Sequence, residues 1–152
     1  MSGRDQDSRI AFALATWFGV GRARSGPGTA AALTILPLHW LMTPAPPALE
    51  WVAAMIVTVA GVWAGHAVAA SLDDHDPRIV VIDEAAGAWI ALLIAHGHGV
   101  AGDLAAVGLF RLFDIFKPWP VIAMERLRHA GLAIMLDDVV AGVMAGIVVW
   151  WF

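Results

Sequence analysis

Apolar stretches alternate with short polar clusters along this chain, and their lengths limit what each can form. Trp51 to Ser71 (WVAAMIVTVAGVWAGHAVAAS) carries no formal charge, and about 20 helical residues cross a typical hydrocarbon core. It predicts one full transmembrane helix. Ala30–Met42, Ala85–Ala95, Leu104–Phe113 and Val139–Phe152 are shorter, and each abuts a charged cluster. They predict short helices that begin in the interface and run inward. Ile10–Val20 is also short and lacks a convincing small-residue cleavage site, so it reads as mature protein and not as a signal peptide. Met1–Arg9 is polar and predicts a flexible start, leaving 10–152 as a single helical domain.

The breaks between these stretches differ in kind. Residues 43–50 are Pro-rich and 96–103 Gly-rich, and both are nearly free of charge. Residues 1–29, 73–84 and 111–138 hold most of the ionisable groups. If the apolar stretches run out and back, those three regions share one side of the membrane. All nine basic residues then fall on that side, which the positive-inside rule makes the cytoplasm. Trp40, Trp51, Trp150 and Trp151 fall at the far interface, with Trp17 and Trp119 at the near one. An odd number of crossings puts Met1 inside and Phe152 near the outer face.

Composition agrees with this drawing. The chain is 60% hydrophobic and 14% charged, with a mean hydropathy of +0.75, against about 45–50% and 25% for an ordinary globular domain. A chain of 152 residues has too much surface to hide so many apolar groups from water. The fold class is therefore all-α, a multihelical integral membrane protein with short helices around one full span. The absence of cysteine excludes disulfides, zinc–thiolate sites and cysteine nucleophiles. A net charge of −4 adds little, because placement matters more than the sum, and no nucleic-acid partner is expected. Gly61–Gly65 and Gly142–Gly146 are GxxxG spacings that let helix backbones approach. Packing within one chain is their simpler use, and a homo-oligomer seam is the other.

Of thirteen acidic residues only Glu50 and Asp103 fall on the far side. The others include three clusters beside apolar helices, where carboxylates are costly and usually functional. In the first, Asp73-Asp74-His75-Asp76-Pro77 leads to Asp83-Glu84, just before or within the first turn of the next helix. Such acids also suit an ordinary helix start. In the second, Arg111, Asp114 and Lys117 follow one another at intervals of three, a spacing that also makes a plain salt-bridge ladder, before Pro118 stops the helix. In the third, Asp137-Asp138 stands at the mouth of the last apolar helix as cap or ligand. Adjacent acids repel, so a cation or a proton would relieve them. Gly26-Pro27-Gly28-Thr29 allows a tight turn with Thr29 as N-cap, or free amides for a phosphate oxygen.

Together these features put carboxylates, cations and an amide-rich turn on one membrane face. Hard oxygen ligands suit magnesium, which commonly joins one or two carboxylates with a substrate phosphate. Asp83, Glu84 and Asp138 are the expected metal ligands, with Asp114 and Asp137 supporting them and Asp76 a further candidate. Thr29, His75, Arg111 and Lys117 are the candidates for holding phosphate. The attacking group stays open between metal-bound water and an aspartyl-phosphate.

At these residues the chain resembles the phosphatidylglycerophosphatase A family of bacterial membrane lipid phosphatases. The likeness runs from about Leu14 to Trp150 and is carried by ATWFGVG at 15–21, PGT at 27–29, HDPRIVVIDEAAGAW at 75–89, FRLFDIFKPWP at 110–120 and IMLDDVVAG at 134–142. Ala30-Ala31 stands where a Gly-Ser pair is common in the family, and the run 129–134 lacks its usual Gly-Gly. The resemblance implies a multihelical fold in the bacterial inner membrane. It also implies magnesium-dependent hydrolysis of phosphatidylglycerophosphate to phosphatidylglycerol and inorganic phosphate. From another class, a membrane cation transporter or channel could use the same acids, but it would want charge near mid-bilayer. Only His66 lies inside the clear span.

Overall fold

The computed structural model describes residues 3–124 and 126–152, and every regular element among them is helical. The elements are α1 (Gly3–Ala15), a 3-10 turn (Val20–Arg22), α2 (Pro27–Met42), α3 (Pro47–Leu72), α4 (Ile82–Ile94), α5 (Gly99–Phe116), α6 (Val121–Met124) and α7 (Ala130–Trp151). The start expected to be flexible is helical from Gly3, while Met1 and Ser2 lie outside the described residues.

Local chemistry sets the boundaries. Gly26 takes a left-handed conformation and Pro27 opens α2, a position where a missing N–H costs nothing. Thr29 is therefore the third residue of α2 and not its cap. The cap position belongs to Gly26, which can take positive φ without strain. Asp73 ends α3 and Lys117 ends α5 in the same left-handed region, the second just before Pro118. His129 caps α7 by accepting from the Leu132 amide. Trp17 and Phe18 also have positive φ, 46° and 55°, at roughly 1–2 kcal/mol each for a residue with a side chain.

Two helices are long and apolar enough to cross a membrane, α3 with 26 residues and α7 with 22. At 1.5 Å per residue they reach about 39 and 33 Å, against a hydrocarbon core of about 30 Å. Among the described residues, α3 contains the span expected at 51–71 and α7 is a second helix long and apolar enough to cross. The last apolar stretch was read as starting at Val139, but α7 begins at Ala130 and carries Asp137 and Asp138 two turns inside it. Those acids do not cap a helix. They can sit in its interior because other helices bring groups to meet them.

The short helix α4 is the axis of the bundle, packed by α2, α3, α5 and α7 and buried over nearly its whole length. Beyond its first turn it is apolar all round, as a fully enclosed helix must be. Helix association in lipid depends on close packing, because lipid tails are as apolar as leucine. Glycines supply that closeness here. A side-chain carbon at Gly142 would overlap the Gly87 carbonyl, and one at Gly146 would lie 2.6 Å from Ile94 Cβ. A carbon at Gly61 would meet Met135 Sδ at 2.5 Å, and Gly65 faces Gly131 across α3 and α7. Both GxxxG faces are thus consumed within the chain, so a partner chain would have to use another surface. Val52, Met55, Ile56 and Val59 project outward from α3, an apolar strip that suits lipid and not water.

Candidate active site

Four elements converge where α4 begins. Asp83 and Glu84 occupy its first turn, and the cap position before them, Val81, makes no side-chain capping bond. Asp138 reaches the same point from α7, because Gly87 and Gly142 let the two backbones touch; a carbon on Gly87 would lie 2.6 Å from the Asp138 carbonyl. Oxygens of Asp83, Glu84 and Asp138 lie within 4.8 Å of one another. Asp138 is only 2% exposed and Asp83 8%. Asp83 Oδ1, Glu84 Oε2 and Asp138 Oδ2 are buried with no hydrogen-bond partner, as is Arg111 Nε. Burial and the neighbouring Glu84 and Asp138 carboxylates push the Asp83 carboxyl well above the usual carboxylate range. Burial also raises Glu84, although its bond with Asp83 and the Arg111 guanidinium pull the other way.

The cations come from the end of α5. Arg111 pairs with Asp114 one turn on and approaches Glu84 at 3.7 Å. Lys117 does not continue that ladder. Its left-handed backbone turns it toward α7, where Nζ donates to Asp137 Oδ2 at 2.6 Å. Asp137 Oδ1 in turn accepts the Asp138 amide at 3.0 Å. From the other side α2 brings its start against the cluster. A side-chain carbon at Gly28 would overlap Glu84 Oε1 and lie 3.2 Å from Arg111 Nη1, so only glycine permits this approach. Thr29 follows it and is exposed.

The structure therefore joins Asp83, Glu84, Asp114, Asp137, Asp138, Arg111 and Lys117, with Thr29 at the rim. His75 and Asp76 lie at the edge of this group, beside Asp137. They are exposed on the α3–α4 loop and line a small cavity of about 80 Å³ that reaches Asp137, so Asp76 is outside the group of converging oxygens. Ala30 and Ala31, where the family pattern has Gly-Ser, fall in the first turns of α2, and alanine is the best helix former. Gly87 is a close-approach position that sequence reasoning left without a role, while Gly28 was read only as part of a turn and Gly142 only as a GxxxG glycine. Their signal was present in PGT, AAGAW and the GxxxG of the last helix.

The donor set fits a hard divalent cation. Three carboxylates, each with a buried oxygen that has no partner, are electrostatically incomplete, and a bound ion of opposite charge would complete them.

Comparison with known proteins agrees with the geometry. Phosphatidylglycerophosphatase A from Escherichia coli is 36% identical over 132 residues, covering 87% of this chain and 77% of that protein. Its namesake from Haemophilus influenzae is 34% identical over 144 residues, covering 90% and 85%. A Bacteroides thetaiotaomicron protein named "Putative phosphatidylinositol-3-phosphatase" is 39% identical over 145 residues, covering 90% and 89%. No solved structure matches the chain. The phosphatidylglycerophosphatase A family matches residues 13–152, the span that contains every residue of the carboxylate site, and the chain belongs to this family of phosphatases.

Proposed function

We propose that the chain hydrolyses the terminal phosphate monoester of phosphatidylglycerophosphate, leaving phosphatidylglycerol and inorganic phosphate. The observation that carries this reading is the convergence of three carboxylates, two buried and one half-buried, with unpartnered oxygens beside Arg111 and Lys117. Close-set carboxylates are relieved by a cation or a proton, and a phosphate would be repelled by them as anions unless cations stood next to them.

Asp83, Glu84 and Asp138 would hold magnesium, which supplies neutralisation of the acids, shielding of the phosphoryl oxygens and activation of water. Arg111 sits between Glu84 and Asp114 with its Nε unpaired, and its fork of donors suits two phosphoryl oxygens at once. Lys117 is held over the site by Asp137 and contributes a point charge. The start of α2 at Gly28 lies against Glu84 and Arg111, and its free amides would add donors that carry no counter-charge. Hydrolysis breaks the bond from phosphorus to the glycerol oxygen. That oxygen leaves as an alcohol with a proton, and a hydroxyl from water joins the phosphate.

The reading includes a place in the cell. The basic residues share the three polar segments of the sequence with the carboxylates of the site, and by the positive-inside rule this supports a site on the cytoplasmic face of a multi-pass inner-membrane protein. Reporter fusions should read Met1 inside and Phe152 outside; a C-terminal fusion reporting the cytoplasm would reverse this. The test of the activity is phosphate release from a panel of lipid phosphates in detergent, with and without magnesium. Phosphatidylglycerophosphate should be the best substrate and a chelator should abolish its turnover. Chelator-resistant turnover, or indifference to the lipid supplied, would overturn the reading.

A further inference from the structure

Away from the carboxylates, a cavity of about 520 Å³ opens between α1 and the turn that follows it. Its walls include Arg9, Phe12, Thr16, Phe18, Gly19 and Arg22, and no acidic side chain is among its lining residues. Three features set it apart from an ordinary surface hollow. Trp17, Phe18 and Gly19 have successive positive φ values of 46°, 55° and 98°, a strained arrangement for the first two that a fold keeps where something else over-determines it. That backbone turns Phe18 outward, 73% exposed. Thr16, only 1% exposed, pins the turn by donating to the Phe12 carbonyl at 2.7 Å and accepting from the Gly19 amide at 3.1 Å.

The turn is also fastened to the catalytic helices. Val81, directly before α4, donates its amide to the Ala15 carbonyl at 2.8 Å. Gly21 lies against Ile79 and Val81, where a side-chain carbon would overlap the Ile79 carbonyl. Trp17 Nε1 donates to Thr34 of α2 at 2.8 Å. The cavity is thus held in fixed relation to α2 and to the start of α4, the two helices that meet at Glu84. Arginine beside an exposed aromatic at a membrane interface suits a phosphodiester with a glycerol attached.

We propose that this cavity is a second anion site, which takes the phosphodiester of the phospholipid whose monoester end lies at the carboxylates. The inference rests on the lipid phosphatase reading above and assigns Arg22 as the residue that separates lipid from small phosphate esters. Arg9 flanks it on α1, and Phe18 packs against the glycerol and the first carbons of the tails.

Three compounds divide the substrate into its parts. Glycerol 3-phosphate has only the monoester, phosphatidylglycerol only the diester, and phosphatidylglycerophosphate both. In micelles of an uncharged detergent, Arg22→Ala should raise KM for phosphatidylglycerophosphate about tenfold, the loss of one charge-assisted contact. Its kcat should stay within about twofold, its kcat/KM for glycerol 3-phosphate should match wild type, and Arg22→Lys should recover part of the loss. Phosphatidylglycerol should inhibit the wild type competitively and the Arg22→Ala variant much less. An unchanged lipid KM, an equal loss on both substrates, or the same effect from Arg78→Ala would overturn the assignment, as would activation by phosphatidylglycerol, which would mark a separate lipid. If the wild type releases phosphate from neither ester, the phosphatase reading has failed. Quenching of tryptophan fluorescence by phosphatidylglycerol micelles still decides the site, since binding by wild type must weaken in Arg22→Ala and unchanged binding contradicts it.

Discussion

The bundle has buried acids at both ends, and the two ends treat them differently. At the far end Glu50, 4% exposed, accepts from His39 Nδ1 at 2.6 Å and from the Trp89 indole at 2.8 Å. Asp103 accepts from the Trp40 indole at 2.8 Å and faces His39 Nε2 at 3.8 Å. One histidine and two indoles thus serve two carboxylates, tying α2, α3, α4 and α5 together. At the near end the carboxylates face one another, and three of their oxygens have no partner. Ile35, Ala88, Val107 and Ala145 fill the core of the bundle, and the apolar layer gives no reason to read the two ends as one ion path. A satisfied buried acid is a clasp. An unsatisfied one is a place prepared for something else.

The comparison breaks most sharply under charge removal. Asp138→Asn, Asp83→Asn and Glu84→Gln should each lower phosphate release about a hundredfold or more, because each keeps its size and loses a ligand charge. Asn caps a helix about as well as Asp, so a capping role would survive the change at Asp83, and Asp138 is too deep in α7 to cap anything. Near-normal turnover by all three at low magnesium would reduce them to structural acids.

Gly28→Ala probes the approach of α2 without touching a charge. The added carbon must displace the Glu84 carboxylate or push α2 away. Activity should fall about tenfold or more, since a misplacement of about 1 Å can cost a hundredfold, while the melting temperature moves little. Activity at the wild-type level would show that Glu84 is free to move and that its position is not critical.

Glu50→Gln should do the reverse. Stability should drop by about 1–3 kcal/mol from an imperfectly satisfied buried network, with turnover at low temperature within about twofold of wild type. A loss of activity larger than the loss of folded protein would mean the far end takes part in the reaction.

Much of this was legible before the structure. The near-side clustering of charge and the carboxylate set followed from sequence, because charge beside apolar helices is expensive and so informative. The depth of Asp137 and Asp138 was not. Ala130–Leu136 reads as a weak polar-flanked stretch, and only the partners from α4 and α5 make acids tolerable inside a helix. The pairing of Lys117 with Asp137 instead of Asp114 was equally hidden, since it depends on a left-handed residue at the end of α5. His39 gave no local signal at all. Its role exists only because α3 and α5 deliver Glu50 and Asp103 to it.

The near-end acids are proposed to hold a divalent cation that phosphate release requires. Phosphate release from phosphatidylglycerophosphate, measured against free magnesium for wild type and Asp138→Asn, tests this most directly. Wild type should be silent in chelator and rise to saturation with magnesium, while the variant stays near zero or needs far more of the ion. Full wild-type turnover in chelator, or the same magnesium curve for both proteins, would contradict it.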